Sequence, residues 1–185
     1  LKAEEDEPVL EPIPASEIFE QLDLRLENEG MSEEAFAQAI ESLILNTPRT
    51  ATKQFFNQLF GGRNGKAILG DLLAVMLNNS MYTYKVAGPM VGVEKEIIRN
   101  MKEMLGYPAT ADGTLAPGGS MTNFMAMVMG RDKADANSRL HGVSGKLTLY
   151  TSRESHYSIP KNMAFMGVGR DQLRYVESDD QGRMD

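Results

Sequence analysis

Cysteine is absent from the 185-residue chain. That excludes a disulfide framework, a thiolate metal site and a cysteine nucleophile. No stretch approaches the roughly 20 consecutive apolar residues of a membrane-spanning helix. A basic patch is missing as well: 19 Lys and Arg stand against 26 Asp and Glu, for a formal net charge of −7, and the cations are scattered. Nucleic acid and anionic membrane surfaces are held by concentrated positive charge, so neither is an expected partner. The opening residues Leu1-Lys2-Ala3-Glu4-Glu5-Asp6-Glu7 lack the apolar run of a signal peptide, and a cytoplasmic soluble protein is the expectation. The two histidines, His141 and His156, without cysteine and at this spacing, make no zinc site, so no metal is expected.

Hydrophobic residues make up 42% of the chain and charged residues 24%, ordinary for a globular protein with a real core. Residues 1–14 read as a solvated arm, either disordered or draped. Glu4, Glu5, Asp6 and Glu7 repel one another, and Pro8, Pro12 and Pro14 discourage a helix. Two helices are expected next. Ser16 can cap the first, with Ile18, Phe19, Leu22 and Leu26 on one face; Ser32 can cap the second, with Phe36, Ile40, Leu43 and Ile44 at i, i+4, i+7 and i+8. Such helices must pack on something larger, the rest of the chain or a second subunit. The segment from Thr50 to Gly65 has no clean period and reads as a loop with buried aromatics. Helical spacing returns at Ile68, Leu69, Leu72, Leu73, Met76 and Leu77. It returns again from Met90 to Leu105, after the Gly88-Pro89 turn.

From Gly113 onward the pattern changes to α/β. A Gly- and Pro-rich stretch leads into Met121, Met125 and Val128 at helical spacing. Lys146–Thr151 alternates as a strand, Ile159-Pro160 opens a short helix, and Gln172–Glu177 reads as the next strand. Strand, helix, strand at this spacing predicts a βαβ unit with a parallel pair. The 13 methionines are core filler.

Three stretches have chemical potential. Pro117-Gly118-Gly119-Ser120-Met121-Thr122-Asn123 opens a helix, whose free N–H groups and dipole favour an anion, with Ser120 and Thr122 adding hydroxyls. Phosphate is the natural ligand, yet the stretch is neither GxGxxG nor GxxxxGK[ST], and by itself such a Gly-Gly turn with a Ser/Thr cap is more often structural. His156 lies just past a strand end, where parallel sheets collect ligands, and a ring could lie against it; an ordinary hydrogen-bonded histidine is the alternative. His141 sits in a Gly/Ser-rich loop without such context. Phe55-Phe56-Asn57-Gln58-Leu59-Phe60-Gly61 mixes aromatics with amides. Ser158-Ile159-Pro160-Lys161 fits S-x-x-K without that motif's companions, and the adjacent Ser155 and His156 cannot form a triad.

Taken together, Phe55-Phe56-Asn57-Gln58-Leu59, Tyr82-Thr83-Tyr84, Pro117–Asn123 and Thr151-Ser152-Arg153-Glu154-Ser155-His156-Tyr157-Ser158-Ile159 occur in an informative order and spacing. In these the chain resembles the pyridoxal-phosphate-dependent group II amino-acid decarboxylases, in the glutamate, cysteine-sulfinate and aspartate 1-decarboxylase branch. The resemblance runs from about Thr47 to Asp185 and more loosely over the two N-terminal helices. It implies an α/β fold: an N-terminal helical segment, then the start of a fold-type I transferase-like large domain. The implied organisation is an arm at 1–14, a helical segment at 15–62 that packs across a homodimer, and the beginning of the cofactor domain at 63–185. The implied cofactor is pyridoxal 5'-phosphate. Ser120, Met121 and Thr122 would hold its phosphate, and His156 would stack on its ring as the catalytic residue. Gln58 would reach the distal acidic group of the substrate. Phe60, bulky as in the cysteine-sulfinate type, would shorten the pocket and favour aspartate or cysteine sulfinate over glutamate.

The family's cofactor lysine follows an Asn-x-His sequence, and an aspartate pairs with the pyridine nitrogen. Neither context occurs among these residues, and Lys161, one of nine lysines, does not match. The expectation is therefore an N-terminal part of a longer enzyme, inactive alone, with its active site near a dimer interface. The competing readings are another fold-type I pyridoxal-phosphate enzyme, or a truncated, catalytically dead paralogue acting as a dimerisation partner.

Overall fold

The computed structural model describes residues 6–25, 28–57 and 59–185. Glu4 and Glu5 of the arm, Leu26 of the first helical stripe and Gln58 of the aromatic loop lie outside the described residues. The chain divides into two compact units, Leu1–Ser80 and Met81–Asp185. The segment boundary expected at 62/63 falls in the coil just before the third helix of the first unit.

The first unit contains α1 (Ile18–Gln21), α2 (Glu33–Leu45) and α3 (Gly65–Leu77). Helix α2 starts as its sequence dictates: Ser32 Oγ accepts from Ala35 N–H at 3.2 Å, and Glu33 and Glu34 occupy the electropositive first turn. Helix α3 is capped by Asn64, whose Oδ1 accepts from the N–H groups of Lys66 and Ala67. It ends where Asn78 adopts a left-handed conformation, φ 47°. The Ser16 cap does not form. Helix α1 has only four residues, begins after Glu17 with no side-chain cap, and stops where Leu22 turns extended. So short a helix gains too few bonds to offset its nucleation.

Of two other expectations for this unit, one is corrected and one is narrowed to one of its alternatives. The loop aromatics are not buried, since Phe56 is 92% exposed and Phe60 sits half out of the surface, edge-on to Phe55. The arm is draped and anchored at its described end: Asp6 pairs with Lys53 at 2.7 Å and Glu7 with Arg49 at 3.0 Å, and Thr52 Oγ1 donates to the Glu7 carbonyl. Opposite charges on residues 49–53 thus offset the repulsion within the acidic run.

The second unit runs α4 (Tyr84–Ala87), α5 (Met90–Leu105), α6 (Gly119–Ala134), α7 (Ser138–His141), β1 (Leu149–Ser152), α8 (Ser158–Phe165), a single 3-10 turn at Arg170–Gln172, and β2 (Leu173–Val176). The strands pair in parallel from Leu149 opposite Leu173 to Ser152 opposite Val176. This is the predicted βαβ unit, with shorter strands than the alternation implied. β2 offers four partners only, because Gln172 is held in the preceding turn, so β1 begins at Leu149 and not at Lys146. His141 closes α7 and does not lie in a loop; Gly142, with φ 77°, ends that helix. Helix α4, which the sequence did not mark, begins at Tyr84, the last residue of Tyr82-Thr83-Tyr84.

The core sits between α8, α6 and the sheet. Met163, Met166 and Leu173 are buried, with Phe124, Met127, Val128, Leu149, Ile159 and Val168 packed around them. One segment, 106–118, leads from α5 into α6. Glu94 of α5 accepts from Thr114 Oγ1 and Leu115 N–H, and Lys102 donates to the Ala109 carbonyl, so the Gly-rich approach is tied to α5 before the chain turns at Gly118.

Candidate functional site

The site grows from two helix starts. Gly118, at φ 109°, ψ 158°, turns the chain into α6. Its carbonyl takes the N–H groups of Met121 and Thr122, at 3.1 and 3.2 Å. The N–H groups of Gly119 and Ser120 have no acceptor within the helix, and the helix dipole leaves this end positive. The second start is that of α8, which follows the carboxyl end of β1 through the loop 153–157.

A cavity of about 370 Å³ lies between these starts, lined by Gly119, Ser120, Thr122, Asn123, His156 and Tyr157. The structure therefore brings Ser120, Thr122 and His156 together, three of the residues the sequence singled out. Met121 is on the same turn but outside the lining, and its N–H is spent on Gly118. Thr122 lines the cavity while its hydroxyl donates back to the Gly119 carbonyl at 2.8 Å. Phe60 belongs to the first unit, and Gln58 lies outside the described residues.

Four residues that the sequence reading did not assign to the site hold it in shape. Asn162 donates through Nδ2 to the Ser120 carbonyl at 3.1 Å, and Asn123 Nδ2 donates to Ser158 Oγ at 2.9 Å. Ser158 Oγ lies 2.8 Å from His156 Nδ1. Ser158 and Asn162 are one helical turn apart on α8, both buried, so they pin α8 to the first turn of α6. The fourth residue, Tyr157, stacks at a tilt on His156 with ring centroids 4.2 Å apart, and Lys161 Nζ lies 4.5 Å from the Tyr157 ring centroid. The only clue in the sequence was the i, i+4 spacing of Ser158 and Asn162 on a short helix.

These contacts also dispose of two hydrolytic readings. Ser158 is 1% exposed, and its hydroxyl is enclosed by Asn123 and His156, so it cannot reach a substrate as a nucleophile. Ser155 Oγ lies against Ser152 Oγ at 3.2 Å and does not meet His156. A second cavity of about 350 Å³ touches Met127, Arg131, Leu149 and Met166. Its one charged side chain, Arg131, is engaged by Asp132 and the Met166 carbonyl.

The profile of the pyridoxal-dependent decarboxylase conserved domain matches residues 15–185. The chain belongs to this family. It is 36% identical over 180 residues to mouse cysteine sulfinic acid decarboxylase, covering 96% of this chain and 36% of that protein. Against the bovine acidic amino acid decarboxylase GADL1 the identity is 35% over 187 residues, covering 100% of this chain and 36% of the relative. The crystal structure of mouse CSAD superposes with a TM-score of 0.92 at 34% identity, over 99% of this chain and 39% of that one. The chain thus spans a little over a third of the length of these relatives, and its fold is that of the corresponding part of a fold-type I decarboxylase.

The donor set fits the family's cofactor. A phosphate dianion suits the free N–H groups of Gly119 and Ser120, the Ser120 hydroxyl and the positive helix end, and no carboxylate is among the lining residues. The flat imidazole of His156 shares that cavity.

Proposed function

We propose that the complete protein decarboxylates an acidic L-amino acid with pyridoxal 5'-phosphate. The observation that carries this reading is the cavity in which an anion-binding helix start and His156 meet, within a chain of this family. Bound pyridoxal phosphate supplies an electron sink for the pair left behind when the α-carboxylate departs as carbon dioxide. The Gly119 and Ser120 N–H groups and the Ser120 hydroxyl hold the phosphate end. Met121 and Thr122 shape that turn, with Met121 acting through its backbone. His156 holds the ring and keeps the substrate aligned, a positioning effect. Tyr157 closes one side of the imidazole and keeps water from that face.

The substrate reading is aspartate or cysteine sulfinate ahead of glutamate. It rests on the bulk of Phe60, two residues after Gln58 in the sequence, with Gln58 proposed as the contact for the distal acid. The relatives, a cysteine sulfinic acid decarboxylase and an acidic amino acid decarboxylase, favour the same class. One methylene in a pocket discriminates by about 1–3 kcal/mol, so the preference is expected as a ratio and not as exclusion. Turnover of the three acids by the full-length protein tests it. Fastest turnover of glutamate refutes the short pocket, and no protein-bound visible absorbance after free pyridoxal phosphate is removed refutes the enzyme reading in favour of a dead paralogue.

The proposal extends to assembly. Residues 15–62 form the helical segment that packs across a homodimer, 63–185 begin the cofactor domain, and the protein works in the cytoplasm. In support, Phe36 and Ile44 of α2 are more than half exposed in the described chain. Sedimentation of the full-length protein as a monomer at all concentrations refutes the dimer.

A further inference from the structure

The polarity of hydrogen bonds around His156 is fixed by one group that cannot choose its direction. Ser158 is the first residue of α8, and the first N–H of a helix has no acceptor within it. Here that N–H donates to His156 Nδ1 at 3.2 Å. A backbone N–H can only donate, so Nδ1 is an acceptor and holds no proton. The Ser158 hydroxyl, 2.8 Å from the same nitrogen, must then point its hydrogen at Nδ1. With its hydrogen committed, Ser158 Oγ can only accept from its other neighbour, and Asn123 Nδ2 donates to it at 2.9 Å. Three bonds run in one direction, from the Asn123 amide to the Ser158 hydroxyl to the imidazole. Ser158 is 1% exposed, so water has little access to replace its partners.

We infer that Asn123 and Ser158 are positioning residues that lock His156 as the Nε2–H tautomer, so that it meets the occupant of its cavity as a hydrogen-bond donor and not as a base. The role in turnover rests on the proposed decarboxylase function; the tautomer does not. The lock also couples the two helix starts. Asn123 is on the first turns of α6, beside the phosphate-binding N–H groups, and Ser158 opens α8. Displacing either helix start would therefore disturb the ring's proton as well as its position.

The test uses the full-length protein, labelled with 15N-histidine and free of cofactor, with His156 assigned by its loss in His156→Gln. The expected spectrum has an unprotonated-type Nδ1 and a protonated-type Nε2; the reverse overturns the inference. Asn123→Asp is the decisive variant. A carboxylate only accepts, so the Ser158 hydroxyl turns toward it and presents lone pairs to Nδ1. The Ser158 N–H still donates, so Nδ1 stays unprotonated; with the hydroxyl bond gone its shift is expected to move toward that of a free unprotonated nitrogen, and a wild-type shift in this variant overturns the role of Asn123. Should the variant not fold, the wild-type spectrum alone still decides. In the cofactor-loaded enzyme Asn123→Asp is expected to lower kcat by roughly 10- to 100-fold, the range seen when a partner that orients an imidazole is lost. Because Asn123 lines the cavity, the added carboxylate weakens phosphate binding, so kcat is compared at saturating pyridoxal phosphate and at equal protein-bound cofactor absorbance. A moved Nδ1 shift with unchanged kcat overturns the role in turnover. A wild-type protein that retains no visible absorbance once free pyridoxal phosphate is removed refutes the decarboxylase reading and leaves the tautomer result standing.

Discussion

Helix α3 has 13 residues and buries none of them, whereas α8 has eight and buries Ser158, Asn162 and Met163. Local signals favour α3: it has an amide cap, a left-handed C-terminal residue and six regularly spaced aliphatic or methionine side chains. Helix α8 carries a proline at its third position and has no side-chain N-cap, though Pro is tolerated in a first turn. The difference shows that starting a helix and burying it are separate problems. Caps and spacing define where α3 lies, but a face is buried only when sheet and neighbouring helix supply the other side. The βαβ unit does this for α8, and among the described residues of the first unit nothing does so for α3.

The sharpest way to break this comparison is a pair of truncations. Met163→Ala removes a fully buried side chain and is expected to lower stability by about 2–5 kcal/mol in urea unfolding. Leu72→Ala on the exposed face of α3 should change it by about 0.5 kcal/mol or less. Equal losses would mean that α3 is covered in solution, by the rest of the protein or by a second copy. His156→Ala is expected to reduce kcat of the complete enzyme by about 100-fold, the scale of a lost alignment, with stability changed by less than about 1 kcal/mol. Parallel losses in rate and unfolding midpoint would make His156 a structural residue.

Smaller effects sharpen the contrast between caps that form and caps that do not. Ser32→Ala should cost about 1 kcal/mol, since it removes the acceptor for Ala35 N–H. Ser16→Ala should leave the unfolding midpoint where it is, because α1 has no side-chain cap. The least effect is at Glu96 on α5, where the Arg99 guanidinium and then the Asn100 amide hold the carboxyl down to about 2 from an ordinary 4.5. The folded value lies below the unfolded one, so this contact supports the helix at neutral pH. Its support fades as pH falls from the ordinary carboxylate range through about 2. A carboxyl-carbon NMR titration of Glu96 with a midpoint near 4.5 would show that the contact does not persist in solution. Because the pair is exposed, added salt should erode it.

Much of this arrangement was legible before the structure. The α2 stripe, the Ser32 cap, the long α5, the helix opened by Gly118-Gly119 and the parallel strands all follow from periodicity and capping, which are properties of neighbouring residues. The meeting of Ser120 with His156 was legible only through the order of motifs, since 36 residues separate them. Asn123 and Ser158 sat inside those motifs without a role, because a hydrogen-bond chain across two helices leaves no periodic trace. Strand ends were misread for a related reason: a strand is as long as its partner allows, and β2 has four residues. Phe56 and Phe60 were read as buried from hydrophobicity alone, which carries no information about what lies opposite them.

Gly118 sets a final constraint. A Cβ built there meets no atom within 4 Å, so the space around it would admit a side chain. What forbids one is the torsion, φ 109°, a region closed to L-residues by their own backbone. The position is therefore selective for handedness and not for volume. No natural substitution, however small, can relieve it, and shrinking or enlarging the neighbouring side chains offers no compensation. Any replacement at Gly118 must be absorbed by rotating the peptide that presents the Gly119 and Ser120 N–H groups. For anyone redesigning this cavity, the entrance to α6 is a chiral checkpoint that size-based engineering cannot pass.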